Sequence, residues 1–332
     1  MLLIEIQRIT KMKVLIFLLG WLATAFTYTF GPLDAYGSNL LYVNNVNAQS
    51  LSWELEMNRF GGLSPSNFDS SWKGYRPSTS PPVIEYHLTD HKSYLDRIDW
   101  RSTPLVGKVK DQKQCGSCWA FSAVASLEGQ VAKQENKSIS LSEQDMVDCV
   151  KNIPSSDGSS VCCDGCEGGE MYSVYQYLAN SQDGKDDLEE QYRYTAKDGI
   201  CSPVKSKSPG SSVKSFITIE KGDEKAMMDA VARVGPLSVG VDANTDWQLY
   251  KKGIYAPNST QCSSDPMDQD HGVAVVGYGS SVLCNVSSCK SLDYWIIRNS
   301  WGESWGEKGY MRLLRGTNAC GVANSAIYPV LD

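Results

Sequence analysis

The chain has 332 residues, 42% hydrophobic and 21% charged, a globular composition long enough for one large or two modest cores and one that excludes general disorder. A net charge of −7 with no block of Lys or Arg argues against nucleic acid or an anionic membrane as the main partner. The acidic balance suits a soluble protein of an acidic or extracellular compartment.

The first readable element is Met12-Lys-Val-Leu-Ile-Phe-Leu-Leu-Gly-Trp-Leu-Ala-Thr-Ala25, with a basic start, an apolar stretch and an Ala23-Thr-Ala25 end. It reads as a secretory signal over residues 1–25, with Met12 as a second candidate start. A membrane anchor would need about 20 consecutive apolar residues. Residues Tyr75 to Pro82, rich in Pro and Ser, read as an exposed linker suited to processing. Ala120, Val124, Leu127 and Val131 recur at helical spacing after Gly116-Ser117, so a buried helix is predicted to start at Cys118. Ser142 with Asp145 forms a capping pair for a second helix through Val147, and Met171, Val174, Tyr175 and Leu178 mark a third. A further helix is predicted over Glu224 to Val234, closed by Gly235-Pro236, before Leu237, Val239 and Val241 alternate as in a half-buried strand. Strand-like runs follow at Gly272 to Tyr278, Tyr294 to Asn299 and Tyr310 to Leu314, with Gly279 to Leu292 read as a disordered or disulfide-closed surface loop. Helices first and strands later predict an α+β protein of two subdomains.

All 11 cysteines lie at or after Cys115, and setting one aside as a free thiol leaves ten, an even set for bridges in an oxidising compartment. Cys284 and Cys289 bracket a short loop that they can close; the adjacent Cys162 and Cys163 are left unassigned. A zinc site would call for two spaced C-x-x-C pairs or a nearby histidine, and the segment has neither.

The chemistry converges on Gln112-Lys-Gln-Cys-Gly-Ser-Cys-Trp-Ala-Phe121 and Asp270-His271-Gly272, because His271 is the sole histidine after residue 91. A free thiol is only slightly ionised at neutral pH, so a nucleophilic Cys118 needs a neighbour to take its proton. Imidazole titrates in the right range. The N-terminal end of a helix at Cys118 would also favour thiolate. Asn299, within Tyr294-Trp-Ile-Ile-Arg-Asn-Ser-Trp-Gly-Glu-Ser-Trp-Gly-Glu-Lys-Gly-Tyr310, can orient the ring.

These three segments resemble the papain and cathepsin family of cysteine peptidases. The likeness runs from about Asp99 to Pro329, with a weaker echo in Asn39-x-x-x-Val43-x-x-x-Asn47 and Ser52-Trp-Glu-Leu-Glu-Met-Asn58-Arg-Phe60. His271 lies 153 and Asn299 181 residues beyond Cys118, more than the family's usual 130–150 or so, which implies insertions. The resemblance implies a papain-like fold with a helical left subdomain over about 104–205, a β-rich right subdomain over about 206–332, and the active-site cleft between them. It implies a shortened inhibitory propeptide over 26–93 and a peptidase domain over 94–332, beginning near Tyr94. It assigns Cys118 as nucleophile, His271 as base, Asn299 as its orienter and Gln112 as oxyanion-hole donor. Trp301 and Trp305 would shield the His271–Asn299 bond. Gly168 and Gly169 would let substrate backbone pair alongside. The main specificity pocket would have Glu170 and Met171 at its lip, Gly240 and Gln269 on its walls and Ser325 at its base. Implied disulfides are Cys115–Cys166, Cys149–Cys201 and Cys262–Cys320. Expected partners are protein or peptide substrates, the chain's own propeptide as inhibitor and cystatin-like inhibitors, for a monomer with no metal, cofactor, nucleic acid or mature membrane contact. The expected location is the secretory pathway, in a lysosome or vacuole or outside the cell.

Each residue also has a plainer reading. Cys118 would pair with Cys115 in a structural or redox disulfide, but redox motifs of that class carry Trp before the first cysteine and here Trp119 follows the second. His271 would be a satisfied core histidine and Gln112 a surface amide. His87-Leu-Thr-Asp-His91 has zinc-peptidase spacing with Leu88 where the catalytic Glu belongs, and no G-x-S-x-G is present. Sequons at Asn136, Asn258 and Asn285 mark glycan acceptors. The reading is a papain-like cysteine endopeptidase made as a zymogen, with a catalytically silent binding protein or an exopeptidase of the same family as alternatives. The pocket is expected to take bulky apolar or aromatic side chains and to tolerate a polar tip through the Gln269 amide, with no acidic base to reward arginine.

Overall fold

The computed structural model describes residues 33–78, 82, 84–86, 95–154, 161–203, 209, 212–284 and 289–332. Residues 1–25, read above as a secretory signal, and His87, His91, Tyr94 and Asn285 lie outside them. The N-terminal segment begins with α1 (Ala35–Asn47), capped by Asp34, whose carboxylate accepts the Gly37 N–H at 2.7 Å. It continues through β1 (Trp53–Leu55) to α2 (Pro65–Trp72), opened by Ser64 at the cap and Pro65 in the first turn. β2 (Ile98–Asp99) leads into the body of the protein.

The helical part follows. α3 (Cys118–Glu135) is buried along most of its length, because Ala, Ser and Gly on its surface let neighbours approach from several sides. α4 (Glu143–Cys149) starts where the Ser142 hydroxyl accepts the Asp145 N–H at 2.9 Å, and a short hairpin of β3 (Lys151–Pro154) and β4 (Val161–Asp164) precedes α5 (Met171–Asn180). Leu127, Val131, Met146, Val174 and Leu178 form the core of this half.

The second half contains β5 (Val213–Thr218), α6 (Glu224–Arg233), β6 (Leu237–Val241), α7 (Thr245–Leu249), β7 (Tyr250–Tyr255), β8 (His271–Cys284), β9 (Cys289–Arg298), β10 (Tyr310–Leu314) and β11 (Ile327–Leu331). Among the described residues these build one sheet in the order β1-β7-β10-β9-β8-β6-β11-β5, with β2 on β8 and every pairing antiparallel except β7 with β10. The sheet edge at β7 is closed by β1, so the N-terminal segment joins the sheet. It joins the core too: Val43, Trp53, Phe60, Phe68 and Trp72 belong to the apolar cluster of Trp247, Trp295, Trp301 and Trp305.

Residues 279–284 and 289–292 are strand rather than loop, with β8 and β9 in register out to Cys284 opposite Cys289, and the expected Cys284–Cys289 disulfide joins the two strands there. Further disulfides join Cys115 to Cys166, Cys149 to Cys201, Cys262 to Cys320 and the adjacent Cys162 to Cys163.

Candidate active site

The cleft has one wall from each half. Cys118 opens α3, fully buried, and is the free cysteine of the described residues. Its loop is pinned by the Cys115–Cys166 disulfide and by the Gly116 N–H, which donates to the Cys166 carbonyl at 2.9 Å. The opposite wall begins β8 with His271, also fully buried. The Gly272 N–H donates to the Cys118 sulfur at 3.3 Å. A Cβ at Gly272 would sit 3.0 Å from the Cys118 carbonyl oxygen, so a side chain there would force the walls apart.

His271 Nε2 lies 2.8 Å from Asn299 Oδ1, while Nδ1 is buried without a hydrogen-bond partner among the described residues. Asn299 Oδ1 also accepts the Ser300 N–H at 2.8 Å, and the Asn299 N–H donates to the Gly309 carbonyl at 3.0 Å. Trp301 stacks on the imidazole with ring centres 4.5 Å apart, and Trp305 meets Trp301 edge-on at 5.1 Å, which excludes water from the His271–Asn299 bond. Burial pushes the Cys118 thiol up to about 12 and the His271 imidazole down to about 3, so both groups are neutral in this state.

Gln112 is fully buried. Its side-chain N–H groups donate to the Trp72 carbonyl at 3.1 Å and the Cys115 carbonyl at 3.0 Å, and its oxygen accepts the Ser300 hydroxyl at 2.6 Å. Trp301 Nε1 donates to the same Trp72 carbonyl at 3.1 Å. The donors around the cleft are thus occupied by the chain's own N-terminal segment. Beyond Trp72, the Gly74 and Tyr75 N–H groups donate to the Asp270 carbonyl at 3.1 and 3.0 Å. The Gly169 N–H donates to the Gly74 carbonyl at 2.9 Å and the Arg76 N–H to the Gly169 carbonyl at 3.0 Å, a parallel pairing. Lys73, nearly buried, bonds Asp69 and Asp270 at 2.7 Å each.

The two glycines have different reasons to lack a Cβ. Gly168 has φ +118° and would meet the Gly74 carbonyl at 2.6 Å, whereas a Cβ on Gly169 would strike the Trp119 ring. Around Tyr75 stand Gly240, Met171, Glu170 and Ser325. Met171 is fully buried, in the same apolar cluster as Tyr75. Gln269 donates to the Gly240 carbonyl at 2.5 Å and the Gly321 carbonyl at 2.8 Å, and accepts the Ser325 hydroxyl at 2.8 Å. Its amide is therefore fully used by its surroundings and is not the polar group of the pocket. That group is Glu170, 4% exposed and pushed up to about 8 by burial. The reading of Tyr75 to Pro82 as an exposed linker also fails at its start, because Tyr75 is buried in the cleft. Trp72, Lys73, Tyr75 and Ser300 escaped sequence reasoning, and only their juxtaposition in space reveals them.

Residues 95–330 match the model of the papain family cysteine proteases. The chain is 37% identical over 313 residues to a cathepsin L-like protein of Caenorhabditis elegans, covering 90% of this chain and 85% of the relative. It is 35% identical over 305 residues to digestive cysteine proteinase 1 of Homarus americanus, covering 90% and 88%. Among solved structures it is similar to digestive procathepsin L2 of the Tenebrio molitor larval midgut, with a TM-score of 0.77 at 28% identity over 94% of this chain and 99% of the other. Digestive procathepsin L 3 from the same source gives a TM-score of 0.74 at 32% identity over 93% and 96%. The chain belongs to the papain family of cysteine proteases and is a papain-like cysteine peptidase, with the papain-like α+β fold.

Proposed function

We propose that the chain is the zymogen of an endopeptidase of the secretory pathway, with Cys118 as nucleophile, His271 as general base and acid, Asn299 as its orienter, Gln112 as oxyanion donor and the N-terminal segment as inhibitory propeptide. The observation that carries the reading is the Trp72 carbonyl on Gln112, with the following residues laid along Gly169. This segment runs from the oxyanion donor at Trp72 towards the pocket at Tyr75. A substrate whose second residue before the cut fills that pocket runs the other way, from the pocket to the oxyanion donor. The propeptide thus fills the cleft in reverse and lacks the polarity of a substrate.

Departure of the segment relieves the burial that raises Cys118 and lowers His271. A proton then passes from the thiol to His271 Nδ1, the nitrogen that Asn299 leaves free. The thiolate adds to the substrate carbonyl, and the new oxyanion takes hydrogen bonds from Gln112 Nε2 and the Cys118 N–H, each donor worth about 2.7–4 kcal/mol. The imidazolium protonates the leaving amine. Water activated by His271 then cleaves the thioester and restores the thiol. A cleft that holds a chain passing through from α2 to Ser78 supports cleavage within a polypeptide rather than at its end.

Secreted full-length chain tests the reading. Wild type is expected to shorten to an N-terminus near Tyr94 and to cut denatured protein at internal bonds, and the Cys118→Ser chain to cut nothing. Release of terminal residues alone would overturn the endopeptidase assignment, and cleavage by Cys118→Ser would overturn the triad.

A further inference from the structure

We infer that Glu170 determines specificity by selecting tyrosine over phenylalanine at the second residue before the cut, an inference that rests on the peptidase reading above. Tyr75 already occupies the pocket as a stand-in for such a side chain. It is 4% exposed, and a Cβ at Gly240 would come within 2.3 Å of its Cε1. Tyr75, Glu170 and Ser325 line one cavity. Ser325 gives its own proton to Gln269, which leaves the Glu170 carboxyl beside the pocket to pair with a phenol.

Size does not discriminate here. A cavity of about 310 Å³ lies beside Tyr75, with Glu170, Tyr172 and Ser325 among its walls, so phenylalanine fits as readily as tyrosine. The carboxyl does discriminate. In the zymogen Glu170 Oε2 accepts the Ser78 N–H at 2.9 Å, a donor that leaves with the propeptide. A tyrosine phenol supplies a replacement partner, whereas phenylalanine buries the carboxyl with that oxygen unpaired. Sites built to bond a hydroxyl reject the analogue that lacks it far more strongly than apolar pockets sort by size. With the segment in place burial holds Glu170 up at about 8, and a phenol that covers the pocket again favours the same uncharged carboxyl. The other charged groups lining the cavity are Glu85, which belongs to the N-terminal segment, Glu220 and Lys221.

The test uses processed enzyme at acid pH and peptides that differ only in Tyr, Phe, Leu or Arg at that position. Expected is a kcat/KM for Tyr about tenfold or more above Phe, a Tyr/Phe ratio near one in Glu170→Ala, and a preserved preference in Glu170→Gln, which keeps a donor and an acceptor. Equal turnover of Tyr and Phe in wild type, Arg as the best residue, or an unchanged ratio in Glu170→Ala overturns the inference. If Glu170→Ala does not mature, inhibition of the wild-type enzyme by a synthetic peptide of residues 64–86 and by its Tyr75→Phe form reads the same hydroxyl. A clearly weaker Phe form is expected, and equal inhibition overturns the inference. Failure of the peptidase reading looks different: no peptide is cut by any variant and Cys118 resists thiol alkylation after processing.

Discussion

His271 has two ring nitrogens, and among the described residues only one is used: Asn299 holds Nε2, while Nδ1 has no partner, and Cys118 lies against the next residue, Gly272. Loss of either partner removes the proton relay, so Cys118→Ser and His271→Ala are expected to abolish turnover, on the order of 10⁶-fold in kcat. Gln112→Ala, which deletes the proposed oxyanion donor, should cost about 10²–10³-fold in kcat; a loss in KM alone would contradict that role. Away from the cleft, the Asp186 carboxyl is fully buried, and burial together with nearby Asp145 and Glu143 holds it well above the usual carboxylate range. A raised pKa contributes stability that is complete below the unfolded value of about 3.9 and is lost as pH rises through the folded value. In the inactive Cys118→Ser background the melting temperature should therefore fall as pH rises from acid through neutral. Asp186→Asn should flatten that fall, and an unchanged slope would contradict the assignment.

At the scale of elements, the β8–β9 ribbon beyond Gly279 is tied at its tip by Cys284–Cys289, with a sequence separation of 5, whereas Cys115–Cys166 spans 51. Chain entropy predicts that the first bridge contributes about 2 kcal/mol and the second about 4. Urea unfolding of Cys284→Ser should accordingly show a smaller loss than that of Cys115→Ser, and the reverse order would contradict the estimate. The same ribbon shows where sequence reasoning fails. Burial alternates along it, with Ser280, Val282, Ser291 and Asp293 exposed and Leu283 and Leu292 turned inward, but the residue types do not follow: Val282 stands on the wet face and Ser281 on the inner one, so no alternation of apolar and polar residues marks the strands. The helix at Cys118 and the strand at Leu237 were legible because each carries apolar residues with its own period, although the strand expected to be half-buried is buried on both faces, Ser238 and Gly240 included. Cys118, His271 and Asn299 were legible for another reason: each sits in a long motif, the motifs follow one another in a fixed order, and His271 is the sole histidine after residue 91. Tyr75 was not, because its partners Gly169 and Gly240 lie far along the chain and its neighbours Pro77, Pro81 and Pro82 have the composition of a loop.

Across the whole molecule, the N-terminal segment is held as a structural layer. Its aromatic residues share the core of the β-rich half, β1 extends the sheet, and Lys73 bridges Asp69 and Asp270 beside His271. Lys73→Ala would remove the cation that ties the segment to the half-buried Asp270 carboxylate, so the segment should bind roughly tenfold more weakly, read as faster maturation of the full-length chain; unchanged maturation would contradict the latch. The central claim is that this layer, by burying the cleft, keeps Cys118 as a thiol, and that its removal lets His271 take the proton. The most direct test is the rate of Cys118 alkylation against pH, before and after processing. The unprocessed chain should resist labelling, in keeping with a thiol pushed up to about 12, while the processed enzyme should label readily well below the free-thiol value of about 8.5. Labelling of the processed enzyme only above that value would contradict the claim.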